Sequence, residues 1–277
     1  AMQTGRPCFP GQIGKCGGPC SMTVTIDDKP GRTLPMNIGR GVVLRALDHL
    51  ADAAVADGLA SRSDMDECVR AAAPLIVADL HLEKGSAFAA RGQMLPPYDS
   101  RATLDRLEAE VAELEPRMVV LLGDSFHDAR SIGRMAADDL QRLHRLAFGR
   151  EWLWLEGNHD REALNAADDA TSLLPGSVVP ALSLGALRLT HEPEPGDQPG
   201  EVAGHLHPAA KVVAYSRGVR RPCFITDGRR IVLPAFGAFT GGLNVRDPAI
   251  AGLFASPPMA AALGRDRVHA LSWGSLV

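Results

Sequence analysis

Five short motifs supply carboxylate, imidazole and amide side chains, the groups that bind hard and borderline divalent metal ions. No thiolate accompanies them, because the nearest cysteine in the sequence is Cys68 and it has no cysteine partner close by. This set of donors suits Mn²⁺, Fe or Zn²⁺ in a catalytic site and disfavours a structural zinc site or an iron–sulfur cluster. The motifs are Asp79-Leu-His81, Gly123-Asp124, Gly157-Asn158-His159-Asp160, His191 and Gly204-His205-Leu-His207.

Each motif carries little weight alone. An Asp-x-His pair is usually a turn with a surface histidine, and Gly-Asn-His-Asp suits a turn because Gly, Asn and Asp favour turn conformations. The recurrence of five such motifs, each directly after an apolar run, makes a chance origin remote. We therefore interpret the series as one metal-binding catalytic site.

The apolar runs before the motifs predict the elements that position them. They cover residues 75–78, 119–122, 152–155, 187–189 and 201–204. Amphipathic patterns over about residues 100–115 and 134–148 predict helices between the first three runs. Alternating strands and helices indicate a partly parallel sheet, and such sheets bind ligands beyond the carboxyl ends of their strands. The motifs should therefore meet at one edge of the sheet.

Beyond Gly204 the chain turns to short strands with Gly and Pro turns. We predict an α/β fold in which two packed mixed β-sheets are flanked by helices. One domain would span residues 42–277, with the motif-bearing core at 74–245. Residues 1–41 hold eight Gly and five Pro and are predicted to be a flexible extension. Residues 42–59 fit an amphipathic helix, although β-structure also fits their start.

Composition narrows the class of protein. The 277-residue chain is 45% hydrophobic and has no apolar run of the ~18 residues that a membrane span needs. Its net charge of −4 disfavours a protein that coats nucleic acid, but not an enzyme that handles one phosphodiester with bound cations. Five scattered cysteines argue against a disulfide framework, so we predict a cytoplasmic location.

The order of the motifs resembles the calcineurin-like metallophosphoesterase superfamily over about residues 74–245. Longer strings are similar to the bacterial ligase-associated DNA-damage-response endonucleases, the PdeM-like group. The resemblance implies the calcineurin-like αββα fold and a DNA phosphodiesterase that acts with an ATP-dependent DNA ligase and a helicase. The strings are VADLHLEKG at 77–85, GDSFHD at 123–128, AGHLHP at 203–208 and LPAFGAFTGG at 233–242.

The resemblance also implies two divalent ions, with Mn²⁺ favoured and Fe or Zn²⁺ as alternatives. Asp124 would bridge them, and a bridging hydroxide would attack phosphorus in line with the leaving oxygen. Two such ions, ~3.5–4 Å apart, lower the pKa of the water and neutralise charge in the transition state. By the resemblance, one ion is held by Asp79, His81, Asp124 and His207, and the other by Asp124, Asn158, His191 and His205.

Two residues beside the ligands are candidates for catalysis. His159 is not a ligand in the family, so we predict that it contacts the phosphate and assists the leaving group, with Asp160 orienting its ring. A purely structural His159 is the alternative. Many superfamily members carry an Asp three residues after the bridging Asp, whereas this chain has His127 there and Asp128 next. His127 could therefore line the substrate path.

The substrate is less constrained, because one fold and one metal site serve many phosphoesters. Residues 211–230 contain six basic residues against one Asp. A basic hairpin there could follow a nucleic-acid backbone, although a solvated hairpin fits equally well. Aromatic content of 5% favours local cleavage over extensive base stacking. The candidate substrate-binding residues are Arg161, Arg217, Arg220 and Arg221.

Two other functions stay open. A small-molecule phosphatase or cyclic-nucleotide phosphodiesterase would use the same metal ligands. A scaffold that keeps the fold without chemistry is disfavoured, because the ligand set is complete and His159 is present.

Overall fold

The computed structural model describes residues 21–24, 34–37, 42–43, 74–159, 161–165, 171–184, 187–214, 217–265 and 268–277. Most of the predicted extension over residues 1–41 and of the predicted helix over 42–59 lies outside these residues. Within them, β1 (Ser21–Val24) and β2 (Leu34–Asn37) form an antiparallel pair, and β3 (Val42–Val43) joins the first large sheet.

The first sheet has five strands and holds the first three apolar runs, as predicted. Strands β4 to β7 are parallel to one another, and β3 is antiparallel at the edge. Parallel strands are buried on both faces, which explains why the runs are continuously apolar rather than alternating. The strands, in spatial order, are β3, β4 (Pro74–Val77), β5 (Met118–Leu122), β6 (Glu151–Leu155) and β7 (Ser177–Val179).

Six helices and two 3₁₀ turns lie in the described part of the chain. The helix predicted over 100–115 is present, shifted by one residue. The 3₁₀ turns cover Thr171–Leu173 and Trp273–Ser275. The helices are α1 (Lys84–Ala89), α2 (Asp99–Leu114), α3 (Ser131–Arg134), α4 (Ala137–Ala147), α5 (Arg161–Asn165) and α6 (Pro248–Ala251).

The helix predicted over 134–148 is instead two helices, because Met135 and Ala136 are extended. Arg134 ends α3, and its guanidinium lies 2.9 Å from the Asp128 carboxylate. Asp138 and Asp139 then occupy the first turn of α4, where negative charge complements the helix dipole. Two extended residues therefore separate α3 from the fresh start of α4.

The second sheet has nine strands of mixed direction. The strands are β8 (Leu182–Leu184), β9 (Leu187–Thr190), β10 (Glu201–Ala203), β11 (Pro208–Ala214), β12 (Arg217–Thr226), β13 (Ile231–Val232), β14 (Leu243–Asn244), β15 (Met259–Leu263) and β16 (Val268–Ser272). Seven follow the spatial order β14-β11-β12-β13-β10-β9-β8, while β15 pairs with β12 and β16 pairs with β15. Strands β9, β10 and β13 are parallel neighbours.

The two sheets pack face to face, and the alternation of side chains along β5 shows how. Val120 and Leu122 belong to a core cluster with Leu189 and Val202 of the second sheet. Val119 and its next-but-one neighbour Leu121 instead pack with α2 and α4, because successive side chains point to opposite faces of a strand. The predicted architecture, two packed mixed sheets flanked by helices, is therefore confirmed.

A third apolar cluster covers the outer face of the second sheet, where β12, β15 and α6 meet. Among the described residues, no helix is both long and apolar enough to cross a membrane.

Candidate metal centre

The ends of five strands converge on one site, where the two sheets meet. Asp79 and His81 follow β4, Asp124 follows β5 and Asn158 follows β6, all at the carboxyl edge of the first sheet. From the second sheet, His191 follows β9, while His205 and His207 lie between β10 and β11.

The turns that carry these side chains have unusual backbone. Positive φ is uncommon outside glycine and costs on the order of 1–3 kcal/mol per residue. Such angles persist where the surroundings fix the conformation, and they cluster at functional sites. Five of the seven positive-φ non-glycine residues in the described chain are motif residues: Asp79 (56°), His81 (46°), Asp124 (46°), His205 (68°) and His207 (45°).

Three of these side chains form what we call cluster 1, namely Asp79, His81 and His207. Their ligand atoms all lie within 4.8 Å of one another. His207 Nε2 is 3.1 Å from Asp79 Oδ1 and 3.4 Å from His81 Nε2. The Asp79 carboxylate also accepts hydrogen bonds from the His205 amide, at 3.0 and 3.2 Å, which ties the first sheet to the turn after β10.

A second group, cluster 2, contains Asp124, His191 and His205, again with ligand atoms within 4.8 Å of one another. His191 Nε2 is 3.3 Å from Asp124 Oδ1 and 3.2 Å from His205 Nδ1. Asn158 Nδ2 lies 3.4 Å from His205 Nδ1, so the predicted amide ligand borders this cluster. The split into clusters 1 and 2 follows the division that the resemblance implies.

Asp124 also faces cluster 1, because its Oδ2 is 4.0 Å from His81 Nε2. Burial disfavours the charge of this carboxylate, but the hydrogen bond and the charge of His191 outweigh burial and hold the pKa of Asp124 well below its usual range. Burial likewise opposes the charge of His191, yet Asp124 and Asp79 raise the pKa of His191 to about 9. The buried carboxylates therefore favour positive charge within cluster 2.

His81 has the opposite tendency. Burial, with the nearby His207, lowers its pKa to about 3, although Asp124 opposes the shift. The imidazole is therefore neutral, the form that binds metal ions.

Two motif glycines allow the strand ends to approach this closely. A Cβ on Gly123 would overlap the His191 ring, and its φ of +76° also favours glycine. A Cβ on Gly157 would overlap the Asp124 backbone nitrogen. The Gly-Asp and Gly-Asn pairings are thus steric requirements of the site.

The site fits a pair of divalent ions. In each cluster, one carboxylate and two imidazoles converge, with ring nitrogens 3.2 to 3.4 Å apart. Neutral imidazole nitrogens and carboxylates are ligands of Mn²⁺, Fe and Zn²⁺. His81 Nδ1 is buried with no hydrogen-bond partner among the described atoms, so one polar atom of cluster 1 remains unsatisfied by protein.

His159 lies at the mouth of the site, with a side chain 53% exposed. Its amide donates to Asp124 Oδ1 at 2.9 Å, and its Nε2 lies 4.0 Å from Asp124 Oδ2. The ring stacks on that of His127, with centroids 5.8 Å apart and an interplanar angle of 12°. His127 thus borders the predicted catalytic histidine. The predicted orienting residue, Asp160, lies outside the described residues.

Sequence reasoning missed the contacts that hold the loop after β4. Glu83 is buried in left-handed backbone and accepts a hydrogen bond of 2.7 Å from Ser100 Oγ. The Gly85 amide donates to Asp99 at 2.9 Å. Glu83 and Gly85 belong to one of the strings that resemble the family, but the sequence does not show that their partners are Ser100 and Asp99, which lie 14 to 17 residues further along the chain.

A second feature that the sequence did not reveal is a group of buried ion pairs centred on Glu201 of β10. Glu201 is 1% exposed and lies 2.7 Å from Arg188 and 3.0 Å from Arg230. Arg230, itself 2% exposed, also donates to the carbonyl of Glu194 at 2.7 Å. This buried ion network braces the strands that lead to His191 and His205.

The four candidate substrate-binding arginines do not act as one group. Arg161, two residues after His159, lies 3.6 Å from Glu156. Arg220 and Arg221 line a cavity beside His207. Arg217 is exposed at the far end of the β11–β12 hairpin, opposite Ala214.

Several known proteins are similar to this chain. Residues 74–218 match the family model described as calcineurin-like phosphoesterase. The Pseudomonas putida nuclease MPE is 32% identical, with a TM-score of 0.54 over 73% of this chain and 88% of that one. The phosphoesterase Yfce from E. coli is 16% identical, with a TM-score of 0.33 over 74% of this chain and 96% of that one. No curated protein matches this sequence.

Proposed function

Because this chain belongs to the calcineurin-like phosphoesterase family, we propose that it is a two-metal nuclease that hydrolyses phosphodiester bonds of DNA. Its broader class, a metal-dependent phosphoesterase, follows from the family itself. The proposal adds the substrate, the number of metal ions and the roles of individual residues.

The observation that carries the proposal is the pair of ligand clusters with Asp124 between them. Each cluster has three ligand atoms within 4.8 Å, and Asp124 faces His191 with one oxygen and His81 with the other. A carboxylate placed in this way supports a bridging role. When bound, two divalent ions would supply Lewis acidity toward a phosphate oxygen and lower the pKa of a water.

The protein's own residues would orient the substrate and move a proton. His159 is exposed at the mouth, and its backbone amide is fixed on Asp124. Its ring lies nearly parallel to that of His127, with centroids 5.8 Å apart. We propose that Nε2 of His159 contacts the phosphate and donates a proton to the leaving oxygen, a step worth roughly 10²–10⁴-fold in rate.

Similarity to a protein described as a nuclease supports a nucleic acid as the substrate, and we propose that this nucleic acid is DNA. Arg161 follows His159 by two residues and opens α5, and we propose that it contacts the substrate backbone. We further propose that Mn²⁺ is the working ion, with Fe or Zn²⁺ as alternatives, and that the enzyme serves DNA repair in the cytoplasm. An association with an ATP-dependent DNA ligase and a helicase stays a prediction.

The test is a substrate panel run with Mn²⁺ and with Zn²⁺. It would contain a phosphomonoester, a cyclic nucleotide, bis-p-nitrophenyl phosphate, and single-stranded, duplex and nicked DNA. We expect Mn²⁺-dependent cleavage of the aryl diester and of DNA. His159→Asn should lower kcat on DNA by about 100-fold. It should lower kcat less on the aryl diester, because nitrophenolate leaves without a proton.

Three outcomes would contradict parts of the proposal. A metal-loaded wild-type enzyme that is inert on every diester would refute the nuclease. A strong preference for monoesters or cyclic nucleotides would indicate a small-molecule phosphatase or phosphodiesterase instead. Equal losses on both leaving groups in His159→Asn would remove the acid role from this residue.

A further inference from the structure

A cavity of about 570 Å³ opens beside cluster 1, with His207 at one end. Its walls come from α2, the segment 235–242, β12 and the turn after β15. The described residues that line it include no Asp or Glu, although the whole chain carries a net charge of −4. Four arginines line it, from separate parts of the sequence: Arg106, Arg220, Arg221 and Arg265.

Two of these arginines also hold the wall of the cavity. Arg106 Nη1 donates to the carbonyl of Phe236 at 3.2 Å, and Arg220 Nη2 donates to the carbonyl of Gly242. A guanidinium has five N–H donors in a planar fork, so a single carbonyl contact occupies only part of the Arg220 fork. Arg221 and Arg265 are exposed. The cavity is therefore a concentration of positive charge beside a metal cluster.

The wall between Arg106 and Arg220 consists largely of backbone. A Cβ on Gly242 would come within 2.6 Å of the His207 carbonyl, whereas a Cβ on Gly241 would meet nothing within 4 Å. Phe236 is the only Phe, Tyr or Trp among the described lining residues, and it is 2% exposed. The cavity therefore offers positive charge and backbone rather than an exposed Phe, Tyr or Trp ring, which points to recognition of phosphate and sugar.

We propose that this cavity binds the phosphate next to the scissile one in a single polynucleotide strand. Arginine forks match phosphate oxygens bidentately, and His207 joins the cavity directly to cluster 1. A duplex is convex and too wide for a cavity of about 570 Å³, whereas a flexible strand can enter. The contacts carry no sequence information. This inference rests on the proposed nuclease function and specifies which strand the site accepts.

The experiment measures binding rather than cleavage. The full chain, loaded with Mn²⁺, is titrated into a fluorescein-labelled phosphorothioate oligothymidylate, which resists hydrolysis, and anisotropy is followed over a range of salt. Arg221→Ala/Arg265→Ala should weaken binding roughly tenfold and reduce the magnitude of the salt slope by about 1.4, the value for two lost phosphate contacts on a single strand. Arg106 and Arg220 stay in place, so the loop carbonyls keep their donors.

A second variant tests the cavity without changing charge. Gly241→Leu adds a side chain at a position with free space around its Cβ. It should also weaken binding of the oligonucleotide, because the leucine fills part of the cavity. The salt slope should stay unchanged, because no charge is removed. The matched control is Arg117→Ala/Arg145→Ala. These exposed arginines lie just before β5 and near the end of α4, away from the carboxyl edge that holds the site.

The control should bind like wild type, and its rate on bis-p-nitrophenyl phosphate should stay within about twofold of wild type, because both of its arginines lie away from the carboxyl edge that holds the site. Wild-type affinity and salt slope in Arg221→Ala/Arg265→Ala would overturn the inference, as would an equal loss in the control. Failure of the nuclease proposal would look different. The wild-type enzyme would then leave the aryl diester intact, whatever the oligonucleotide binding shows.

Discussion

Clusters 1 and 2 draw on the two sheets in opposite proportions. Cluster 1 takes Asp79 and His81 from the first sheet and His207 from the second. Cluster 2 takes Asp124 from the first sheet and two histidines from the second. Neither sheet therefore carries a complete site. The apolar core between the sheets sets the distances within both clusters, so the stability of the fold and the geometry of the site are linked.

The clusters also differ in what supports them. The loop that carries His81 is held by hydrogen bonds between its continuation, at Glu83 and Gly85, and α2. The strands that lead into cluster 2 are braced by the buried contact of Glu201 with two arginines. Cluster 1 thus depends on a helix and a loop, and cluster 2 on a buried ion network. Substitutions should be able to weaken one cluster while the other persists.

The largest effect is expected from Asp124→Ala, because this carboxylate faces both clusters. Removing a group that only hydrogen-bonds to a metal ligand typically lowers activity by roughly 10–100-fold. Loss of the shared carboxylate itself should lower phosphodiesterase activity by more than that. Steady-state rates on bis-p-nitrophenyl phosphate would measure it, with Asp138→Ala, at an exposed position on α4, as the control. If Asp124→Ala retained a tenth of the wild-type activity, Asp124 would not be a ligand shared by clusters 1 and 2.

A more discriminating pair is His81→Ala and His205→Ala. Each removes one imidazole from one cluster, so each variant should retain one tightly bound ion where wild type retains two. Elemental analysis after dialysis would count the ions. Loss of both ions in either variant would show that the clusters do not bind independently, and unchanged content in both would exclude these residues as ligands.

Glu201→Ala should change the catalytic rate least among these variants. It should change the free energy of unfolding most. It leaves Arg230 buried at 2% exposure without its carboxylate, and removing one partner of a buried ion pair costs about 3–5 kcal/mol of unfolding free energy. Affinity for the ion at cluster 2 should fall, while that at cluster 1 changes little. Urea denaturation would measure the first effect and metal titration the second.

The control for this comparison is a surface pair. Arg229 contacts Asp197 at 2.8 Å, but the Asp197 side chain is 55% exposed, so Asp197→Ala should cost less than about 1 kcal/mol. If Glu201→Ala and Asp197→Ala lowered the free energy of unfolding equally, burial would not strengthen the ion pairs of Glu201 with Arg188 and Arg230.

The sequence predicted well which side chains come together, because each lies immediately after an apolar run, and parallel strands align their carboxyl ends at one edge; their role as metal ligands stays a prediction. The sequence predicted the supports poorly. Glu201 opens a strand and looks like a surface charge until Arg188 and Arg230 are brought beside it. The break before α4 lies at two extended residues, Met135 and Ala136, which the apolar periodicity of the sequence does not register.

The basic stretch over residues 211–230 shows the same limit. Its arginines look like one surface in sequence, but they face different partners in the fold. Arg229 pairs with Asp197 and Arg230 is buried, while Arg220 and Arg221 line the cavity beside His207. Arg265, from a later strand end, completes that lining. Local charge density predicted that the region is basic, and only the fold determines which charges can meet a substrate.

The most direct test of two clusters joined at Asp124 is an anomalous-difference map from crystals of the Mn²⁺-loaded protein. We predict two neighbouring peaks, one against Asp79, His81 and His207 and the other against His191 and His205, with Asp124 between them. A single peak, or two peaks without Asp124 between them, would contradict the account.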